Sequence, residues 1–319
     1  MTSTLQRAPV TPGRARESAR PGVWLTDALL FTMALVWGVN YSVVKYGVRF
    51  FAPLAFNAVR VALAAAALLV IAGLAVREPW PSRRDTLRLL ALGVLGNCLY
   101  QVLFIEGLAR TRAGTAALVL AASPAFMAII GRLRGVERPT RRGLVGIALS
   151  IGGVALVMLG AASDAGGRGA GGAGVAGADT LLGIALCLAG CACWSGFTVL
   201  LEPYTHRVHG VRLSAVTMLG GAVPLALVAA PALAATPWSE TRAEAWGAVA
   251  YSGLGALVLA YLIYYRGVRV LGPTRTAMYA NLQPVIALGV AWLTLGETPT
   301  LAQSAGAAAI MGGILLTRR

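Results

Sequence analysis

Long apolar stretches, separated by short polar breaks, run along almost the whole chain. Stretches of about 20 mostly apolar residues lie near 25–46, 51–75, 88–109, 113–132, 142–161, 181–201, 211–234, 245–266, 274–295 and 300–317. A helix of that length crosses roughly 30 Å of hydrocarbon. The pattern predicts an all-α, polytopic membrane protein with ten transmembrane helices. A β-barrel would show short alternating segments instead.

The composition agrees with a bilayer environment. The chain is 57% hydrophobic and only 12% charged, and its mean hydropathy is +0.73. The first 22 residues differ, because they are polar and rich in Arg and Pro. Residues 1–22 are therefore predicted to form a disordered cytoplasmic tail. The apolar run that follows is too long for the core of a signal peptide, and it is predicted to be the first membrane helix.

The net charge of +15 follows the predicted loops rather than one binding face. With the amino terminus inside the cell, twenty of the 27 Lys and Arg residues fall in cytoplasmic segments, six fall in outer segments, and Arg60 lies within a span. This positive-inside bias predicts that both termini are cytoplasmic. It argues against a nucleic-acid partner. The predominance of Arg over Lys, with abundant Ala and Gly, indicates a bacterial protein of the cytoplasmic (inner) membrane.

The second half of the chain repeats the first. "ERPTRRGLVGIALSIGG" at 137–153 and "ETPTLAQSAGAAAIMGG" at 297–313 share seven of seventeen positions at an offset of 160. "VWGVNY" around Trp37 aligns with "CWSGFT" around Trp194 at an offset of 157. The predicted organisation is a first five-helix repeat, a Gly/Ala-rich linker and a second five-helix repeat, at 23–161, 162–179 and 180–319. Because five is odd, the second repeat is predicted to be inverted in the membrane.

These repeated segments carry a family resemblance. "WGVNYSVVK" at 37–45, "RTRAGTAALVLAASPAF" at 110–126 and "LGPTRTAMYANLQPVIALGVAWLTLGETPT" at 271–300 resemble the EamA-type transporters of the drug/metabolite transporter superfamily. The resemblance covers about residues 25 to 317. It implies a carrier without an enzymatic step, usually an exporter of small metabolites, with a cavity between its halves. The first half departs from the family's usual "LGE" by reading "RGVERPT".

Two prolines occupy matching positions in the two halves. Pro124 and Pro284 lie roughly ten residues into the predicted fourth and ninth helices, near the bilayer centre. A proline there frees the carbonyl four residues earlier, which is that of Leu120 or Ala280. Matched helix breaks are typical of transporter binding sites. The two are predicted to be hinges, although a kink that only shapes packing is an equal alternative.

Polar and aromatic side chains near these breaks are the candidate substrate-binding residues. They are Trp37, Asn40, Tyr41, Tyr100, Gln101, Ser123, Trp194, Phe197, Tyr261, Asn281 and Gln283. Amides and hydroxyls are costly in hydrocarbon and are expected to face the bundle interior or water. The alternative is that they only join helices to one another by hydrogen bonds.

Charged residues suggest gating rather than a proton relay. Arg60, inside a span, is predicted to bind an anionic substrate group or to have a structural or gating role, the second being favoured. Glu106 is a weak candidate for proton uptake, and its alternative is an ion pair with Arg110. Glu297 is predicted to cap the tenth helix together with Thr298 and Thr300.

The function predicted from these observations is a secondary-active carrier that exports a small metabolite, such as an amino acid or a related amphipathic compound. Uptake or exchange of an anionic metabolite is one alternative, and a non-transporting scaffold or lipid-handling protein is another. An enzyme is not predicted, nor are a cofactor or a metal. Cys187 and Cys191 lie one helical turn apart, but they have no acidic or His neighbour at membrane depth. The oligomeric state, monomer or homodimer, is left open.

Overall fold

The computed structural model describes residues 23–133, 141–167, 179–271, 276, 279–280 and 282–317 of the 319-residue chain. Within these residues every regular element is helical. The α-helices are α1 (Val23–Gly47), α2 (Pro53–Leu74), α3 (Arg83–Gly93), α4 (Tyr100–Ala109), α5 (Ala113–Leu120), α6 (Ser123–Leu133), α7 (Arg141–Gly167), α8 (Leu181–Thr205), α9 (Gly210–Ala234), α10 (Ala243–Ala250), α11 (Ala260–Leu271), α12 (Gln283–Leu295) and α13 (Leu301–Thr317).

Two membrane-length segments contain a π-helix. Val94–Leu99 joins α3 to α4, and Tyr251–Leu259 joins α10 to α11. Both connections are continuous, so Arg83–Ala109 and Ala243–Leu271 each form one helical rod. A π-helix shifts the hydrogen-bond ladder by one residue and is frequent at functional sites. The starts of the two π-helices differ by 157 residues, which is the offset between Trp37 and Trp194.

Seven described helical segments are long and apolar enough to cross a membrane, and Gln283–Leu295 is a shorter apolar helix. Large apolar side chains on their outer faces are open to the surroundings, with Leu74 exposed by 86% and Leu293 by 76%. A surface of this kind is stable when lipid covers it. The prediction of an all-helical, multi-pass membrane protein is therefore confirmed. The number of ten spans stays a prediction.

The chain breaks its helix beside both prolines. α5 ends at Leu120 and α6 begins at Ser123, while α12 begins at Gln283 with Pro284 in its first turn. Proline fits the first turn of a helix because its missing N–H would have no partner there. Pro124 and Pro284 are each the second residue of their helix, and they lie 160 residues apart, which is the offset of the repeat. The chain can therefore change direction at both points.

Each half of the chain packs mainly on the other. α1 contacts α11 and α12, while α8 contacts α4 and α6; α2 packs along α9, and α7 packs along α13. The last pair approaches closely through glycines. A Cβ atom at Gly153 would touch the carbonyl oxygen of Gly306, and one at Gly313 would touch that of Gly146.

The turn before α13 shows that the predicted capping role of Glu297 is wrong. Thr300 caps α13 by a reciprocal pair of bonds: its hydroxyl accepts from the Gln303 N–H at 3.2 Å, and the Gln303 side chain accepts from the Thr300 N–H at 2.9 Å. Glu297 does not take part. Its carboxylate accepts from the Ala113 N–H at 3.3 Å, and so it caps α5 instead. The sequence places Glu297 beside α13 but cannot reveal that the start of α5 lies next to it.

Two predicted segments lie wholly or partly outside the described residues. The predicted tail at 1–22 lies outside the described residues. The predicted linker at 162–179 begins inside α7, which continues to Gly167, and its residues 168–178 lie outside the described part of the chain.

Candidate functional site

A cavity of about 100 Å³ open to water-sized molecules lies between the two halves. Its wall includes residues from α1, α2, α4, α5, α6, α8, α11 and α12, together with the second π-helix. A space of this volume holds roughly seven to ten waters, at about 10–15 Å³ for each water centre. It therefore fits a solute with on the order of ten non-hydrogen atoms.

Most predicted site residues meet at this cavity. Those that line it are Trp37, Asn40, Tyr41, Arg60, Tyr100, Gln101, Ser123, Pro124, Trp194, Tyr261, Gln283 and Pro284. Three others do not belong to the described wall. Phe197 is fully buried behind Trp194, with their ring centroids 5.4 Å apart. Glu106 pairs with Arg110 near the end of α4, and Asn281 lies outside the described residues.

Sequence reasoning missed several wall residues, including Phe104, Met127 and Tyr264. Helical spacing carried a usable signal for all three. Phe104 follows Tyr100 by four residues, and Tyr264 follows Tyr261 by three, so each lies on the same helix face as its predicted neighbour. Met127 follows Ser123 by four residues in the same way.

Aromatic rings from both halves form one wall of the cavity. The Trp37 ring lies edge-on to Trp194 and Tyr261, with centroids 6.5 and 5.8 Å away, and 5.6 Å from Tyr264. Trp194 also packs on Tyr100, at 5.1 Å. These separations suit edge-to-face and tilted ring packing. The cluster of Trp37, Trp194, Tyr100, Tyr261 and Tyr264 is called the aromatic wall below.

The π-helices anchor this wall. The Trp37 indole N–H donates to the Ala256 carbonyl, inside the second π-helix, at 2.8 Å. The Tyr251 hydroxyl donates to the Val36 carbonyl at 3.1 Å. In the other half, the Cys193 thiol lies 3.1 Å from the Leu95 carbonyl of the first π-helix. Carbonyls of both π-helices thus accept a hydrogen bond from a side chain of a neighbouring helix.

Arg60 is the charged residue of the described cavity wall. Its side chain is only 1% exposed. The guanidinium donates to the Asn57 side-chain oxygen at 2.8 Å, the Ser252 hydroxyl at 2.6 Å and the Gln101 side-chain oxygen at 2.7 Å. The Phe104 ring lies 5.5 Å from its central carbon. No ion pair joins Arg60 to a carboxylate within the described chain.

The break between α5 and α6 is held by polar contacts from α8. The Ser123 hydroxyl donates to the freed Leu120 carbonyl at 2.6 Å. The Ser195 hydroxyl lies 3.1 Å from the Ser123 carbonyl, and the Cys191 sulfur lies 3.2 Å from the Ser123 hydroxyl. The carbonyl that proline frees thus bonds within the protein, as hydrocarbon requires. Cys187 and Cys191 are fully buried, and no metal-binding group of three His, Cys, Asp or Glu residues occurs among the described residues.

A polar cluster surrounds the amino-terminal end of α5. Every residue of α5 is buried, whereas few residues of α6 are. The Lys45 ammonium, at the end of α1, donates to the carbonyls of Leu108, Ala109 and Thr111. These are carbonyls at or just beyond the carboxyl end of α4, where a helix leaves acceptors without partners.

Carboxylates complete this polar cluster. Asp179 accepts from the Arg112 N–H at 2.7 Å, the Thr115 hydroxyl at 2.9 Å and the Gln303 amide at 3.1 Å. Glu297 binds the Ala113 N–H through one oxygen, and its second oxygen is buried without a hydrogen-bond partner. Five chain segments therefore converge here. Lys45, Asp179, Glu297 and Gln303 are called the polar latch below.

Glu297 makes the stability of the latch depend on pH. Burial raises the pKa of Glu297 above its ordinary value, although Lys45 opposes the shift. A raised pKa means that the stability contributed is complete in acid and is lost as the pH rises through the raised pKa. Glu297→Gln keeps the acceptor for Ala113 and removes the buried charge. We expect this variant to melt above the wild type at pH 7–8 and level with it near pH 4.

The matched control for this prediction is Glu106→Gln. Glu106 is partly exposed and paired with Arg110, so its replacement is not expected to raise the melting temperature at any pH. Melting curves of the detergent-solubilised protein across this pH range provide the measurement. Equal melting temperatures of Glu297→Gln and the wild type at pH 8 contradict the prediction.

An all-helical membrane protein with an aromatic and polar cavity between its helices has the architecture of a solute transporter. The chain belongs to the EamA-like transporter family, whose model matches it twice, at residues 24–159 and 181–319. The predicted family resemblance is thereby confirmed.

Individual relatives agree with this assignment. YyaM of Bacillus subtilis, an uncharacterized transporter, is 26% identical over 90% of this chain and 91% of its own. A probable terminal-alkyne amino-acid exporter of Streptantibioticus cattleyicolor is 28% identical over 93% of both chains. The inner membrane transporter YedA of Escherichia coli is 29% identical over 84% of this chain and 82% of its own. A crystal structure with 20% identity and a TM-score of 0.60 covers 92% of this chain and 96% of its own, and shares the fold.

Proposed function

We propose that the protein is a secondary-active carrier of the bacterial cytoplasmic membrane. It exports a small amphipathic metabolite, an amino acid or a related compound, by alternating access. Ten transmembrane helices form two inverted five-helix repeats, and both termini are cytoplasmic. The observation that carries the proposal is the cavity between the repeats, to which Trp37 and Trp194 contribute from equivalent positions.

Residue pairs support an exchange symmetry between the repeats. The contact of Gly153 with the Gly306 carbonyl becomes that of Gly313 with the Gly146 carbonyl when the offset of 160 is applied. The approach of Gly38 to the Gln283 carbonyl corresponds to the approach of Ser195 to the Ser123 carbonyl. Here Gly38 corresponds to Ser195 by the offset of 157, and Gln283 corresponds to Ser123 by the offset of 160. Such reciprocal contacts are expected of a pseudo-twofold axis that runs between the repeats.

The shape of the site supports alternating access. The polar latch and the fully buried α5 close the cavity towards the predicted outer side. On the other side of Pro124, most residues of α6 are only half-buried. This arrangement corresponds to a state that admits substrate from the cytoplasm. In the outward-open state, the two repeats would exchange their conformations, with the chain moving about the breaks near Pro124 and Pro284.

The cavity supports a small amphipathic substrate. Its volume suits roughly ten non-hydrogen atoms. Aromatic rings form one part of the wall, and hydrogen-bonding groups from Asn40, Arg60 and Gln283 lie in the rest. Few, well-placed polar groups in a mainly apolar wall are typical of small-molecule sites. The Streptantibioticus relative is named as an amino-acid exporter, which agrees with this substrate size.

Flux measurements test the proposal. Purified protein in proteoliposomes is expected to carry hydrophobic amino acids or related compounds faster than protein-free vesicles, with and without an imposed pH gradient to test for proton coupling. Cells that overexpress the protein are expected to accumulate the substrate in the medium. A folded, reconstituted protein that moves none of a broad metabolite panel contradicts the carrier and favours a scaffold.

A further inference from the structure

Arg60 places a single positive charge in the cavity, and the described residues provide no counter-ion for it. The described cavity wall contains no Asp, Glu, Lys or His. The partners of the guanidinium are the neutral side chains of Asn57, Ser252 and Gln101. Arg60 is only 1% exposed. Burying a charge costs free energy unless an opposite charge is paired with it. A substrate anion would supply the opposite charge that the described wall lacks.

The guanidinium also retains unused donors. It has five N–H groups, and three of them make the hydrogen bonds described above. Those bonds fix the position of the guanidinium, because its partners lie on α2, on the second π-helix and on α4. Two N–H groups are left over. A fixed guanidinium with spare donors matches the geometry of a carboxylate.

Asn40 provides an independent sign of a ligand site. Its side chain is 7% exposed and lines the cavity. The side-chain oxygen is buried and has no hydrogen-bond partner. A buried polar atom without a partner is unusual in a native protein. A donor on the substrate, such as an amine or a hydroxyl, would satisfy it.

We infer that the substrates are small amphipathic monocarboxylates. The carboxylate binds Arg60, a donor group bonds Asn40, and the apolar part lies against the aromatic wall. The single charge matches a monoanion better than a phosphate dianion, because Lys45 is committed to the polar latch and is not part of the wall. This assignment rests on the proposed carrier function and names its substrate class.

The wild-type protein allows a direct test by ligand binding. Thermal stabilisation of the detergent-solubilised protein is measured with hydrophobic amino acids and with C4–C8 monocarboxylates, each compared with its amide. Phenyl phosphate supplies the dianion. Losing a hydrogen-bonded charge partner corresponds to roughly 10- to 100-fold weaker binding. Carboxylates are therefore expected to bind at least tenfold more tightly than their amides and more tightly than phenyl phosphate.

Variants assign this preference to Arg60. Arg60→Gln is expected to abolish the preference for carboxylate over amide, whereas Arg60→Lys keeps the charge and retains part of it. Arg212→Gln is the matched control. Arg212 is also a buried arginine, 5% exposed, but it bonds the Val76 carbonyl at 2.8 Å and stacks on Trp80, away from the cavity wall. Its removal is expected to leave the preference intact.

The possible outcomes separate the substrate class from the carrier function. Binding of amides or amines as tightly as carboxylates, or no binding of any carboxylate, overturns the assignment even if Arg60→Gln does not fold. An equal loss of preference in Arg212→Gln and Arg60→Gln also overturns it, because the effect is then general destabilisation. Flux of uncharged or cationic solutes that is insensitive to Arg60→Gln supports the carrier function and overturns the carboxylate site. Carboxylate binding without any flux supports the carboxylate site and contradicts the carrier function.

Discussion

Replacement of Trp37 by alanine is expected to lower transport by at least 100-fold. The indole contacts three other rings of the aromatic wall and donates to the Ala256 carbonyl. Trp→Ala changes in cores cost roughly 3–5 kcal/mol. The released carbonyl adds about 1–3 kcal/mol if it stays buried without a partner. Because this wall joins the two halves at the cavity, the loss is expected in substrate binding as well as in stability. Flux per folded molecule in proteoliposomes is the measurement.

Graded variants locate the effect of Trp37. Trp37→Phe keeps a ring but loses the N–H donor, so an intermediate loss of about tenfold is expected, equivalent to roughly 1.4 kcal/mol. Trp194→Ala is expected to resemble Trp37→Ala, since Trp194 occupies the equivalent position in the second half. Trp292→Ala is the control, because that side chain is 57% exposed on α12. If Trp37→Ala and Trp292→Ala have the same flux, the aromatic wall is not part of the substrate pathway.

Loss of the Lys45 ammonium is expected to cause the largest fall in stability among the latch variants. Lys45→Met leaves the carbonyls of Leu108, Ala109 and Thr111 without their shared donor. The Leu108 carbonyl still accepts from the Thr111 N–H at 3.5 Å, so the loss falls mainly on Ala109 and Thr111, at about 1–3 kcal/mol for each acceptor left without a partner. A total loss of at least about 3 kcal/mol corresponds to a fall in melting temperature on the order of 5–10 °C. Thermal unfolding of the solubilised protein provides the measurement.

Two further variants separate the latch from a general effect of charge. Lys45→Arg retains a multiple donor and is expected to recover most of the stability. Arg49→Met removes a neighbouring cation that is exposed, and it is expected to leave the melting temperature within about 1–2 °C of the wild type. A wild-type melting temperature for Lys45→Met shows that water replaces the ammonium and that the latch does not hold this end of the bundle.

The sequence was most informative where one residue type has one physical consequence in a membrane. Apolar runs of about 20 residues predicted the helices, and the matched prolines predicted the breaks that lie beside Ser123 and Gln283. Polar and aromatic residues inside spans predicted most of the cavity wall. Trp37 and Trp194 were identifiable because they occur at equivalent positions in both halves.

Contacts between distant segments were beyond the reach of the sequence. The π-helices cannot be recognised from "VLGNCL" or "YSGLGALVL", because they depend on the helices packed around them. The partner of Glu297 is Ala113, which lies 184 residues away. The neutral surroundings of Arg60 also required the structure, since they come from α2, α4 and the second π-helix. From its place in a span alone, a structural or gating role for Arg60 was favoured over binding of an anionic substrate group.

The proposed orientation of the second half, upside down in the membrane relative to the first, can be measured directly. Ser82 and Ser239 are exposed residues at equivalent positions of the two halves, 157 residues apart. The native cysteines are all within helices and three of them are buried, so the unmodified protein serves as the labelling blank. Ser82→Cys and Ser239→Cys are each treated with a membrane-impermeant maleimide applied to one side of the membrane. We expect Ser82→Cys to react only from the cytoplasmic side and Ser239→Cys only from the outer side; labelling of both from the same side contradicts the inverted arrangement.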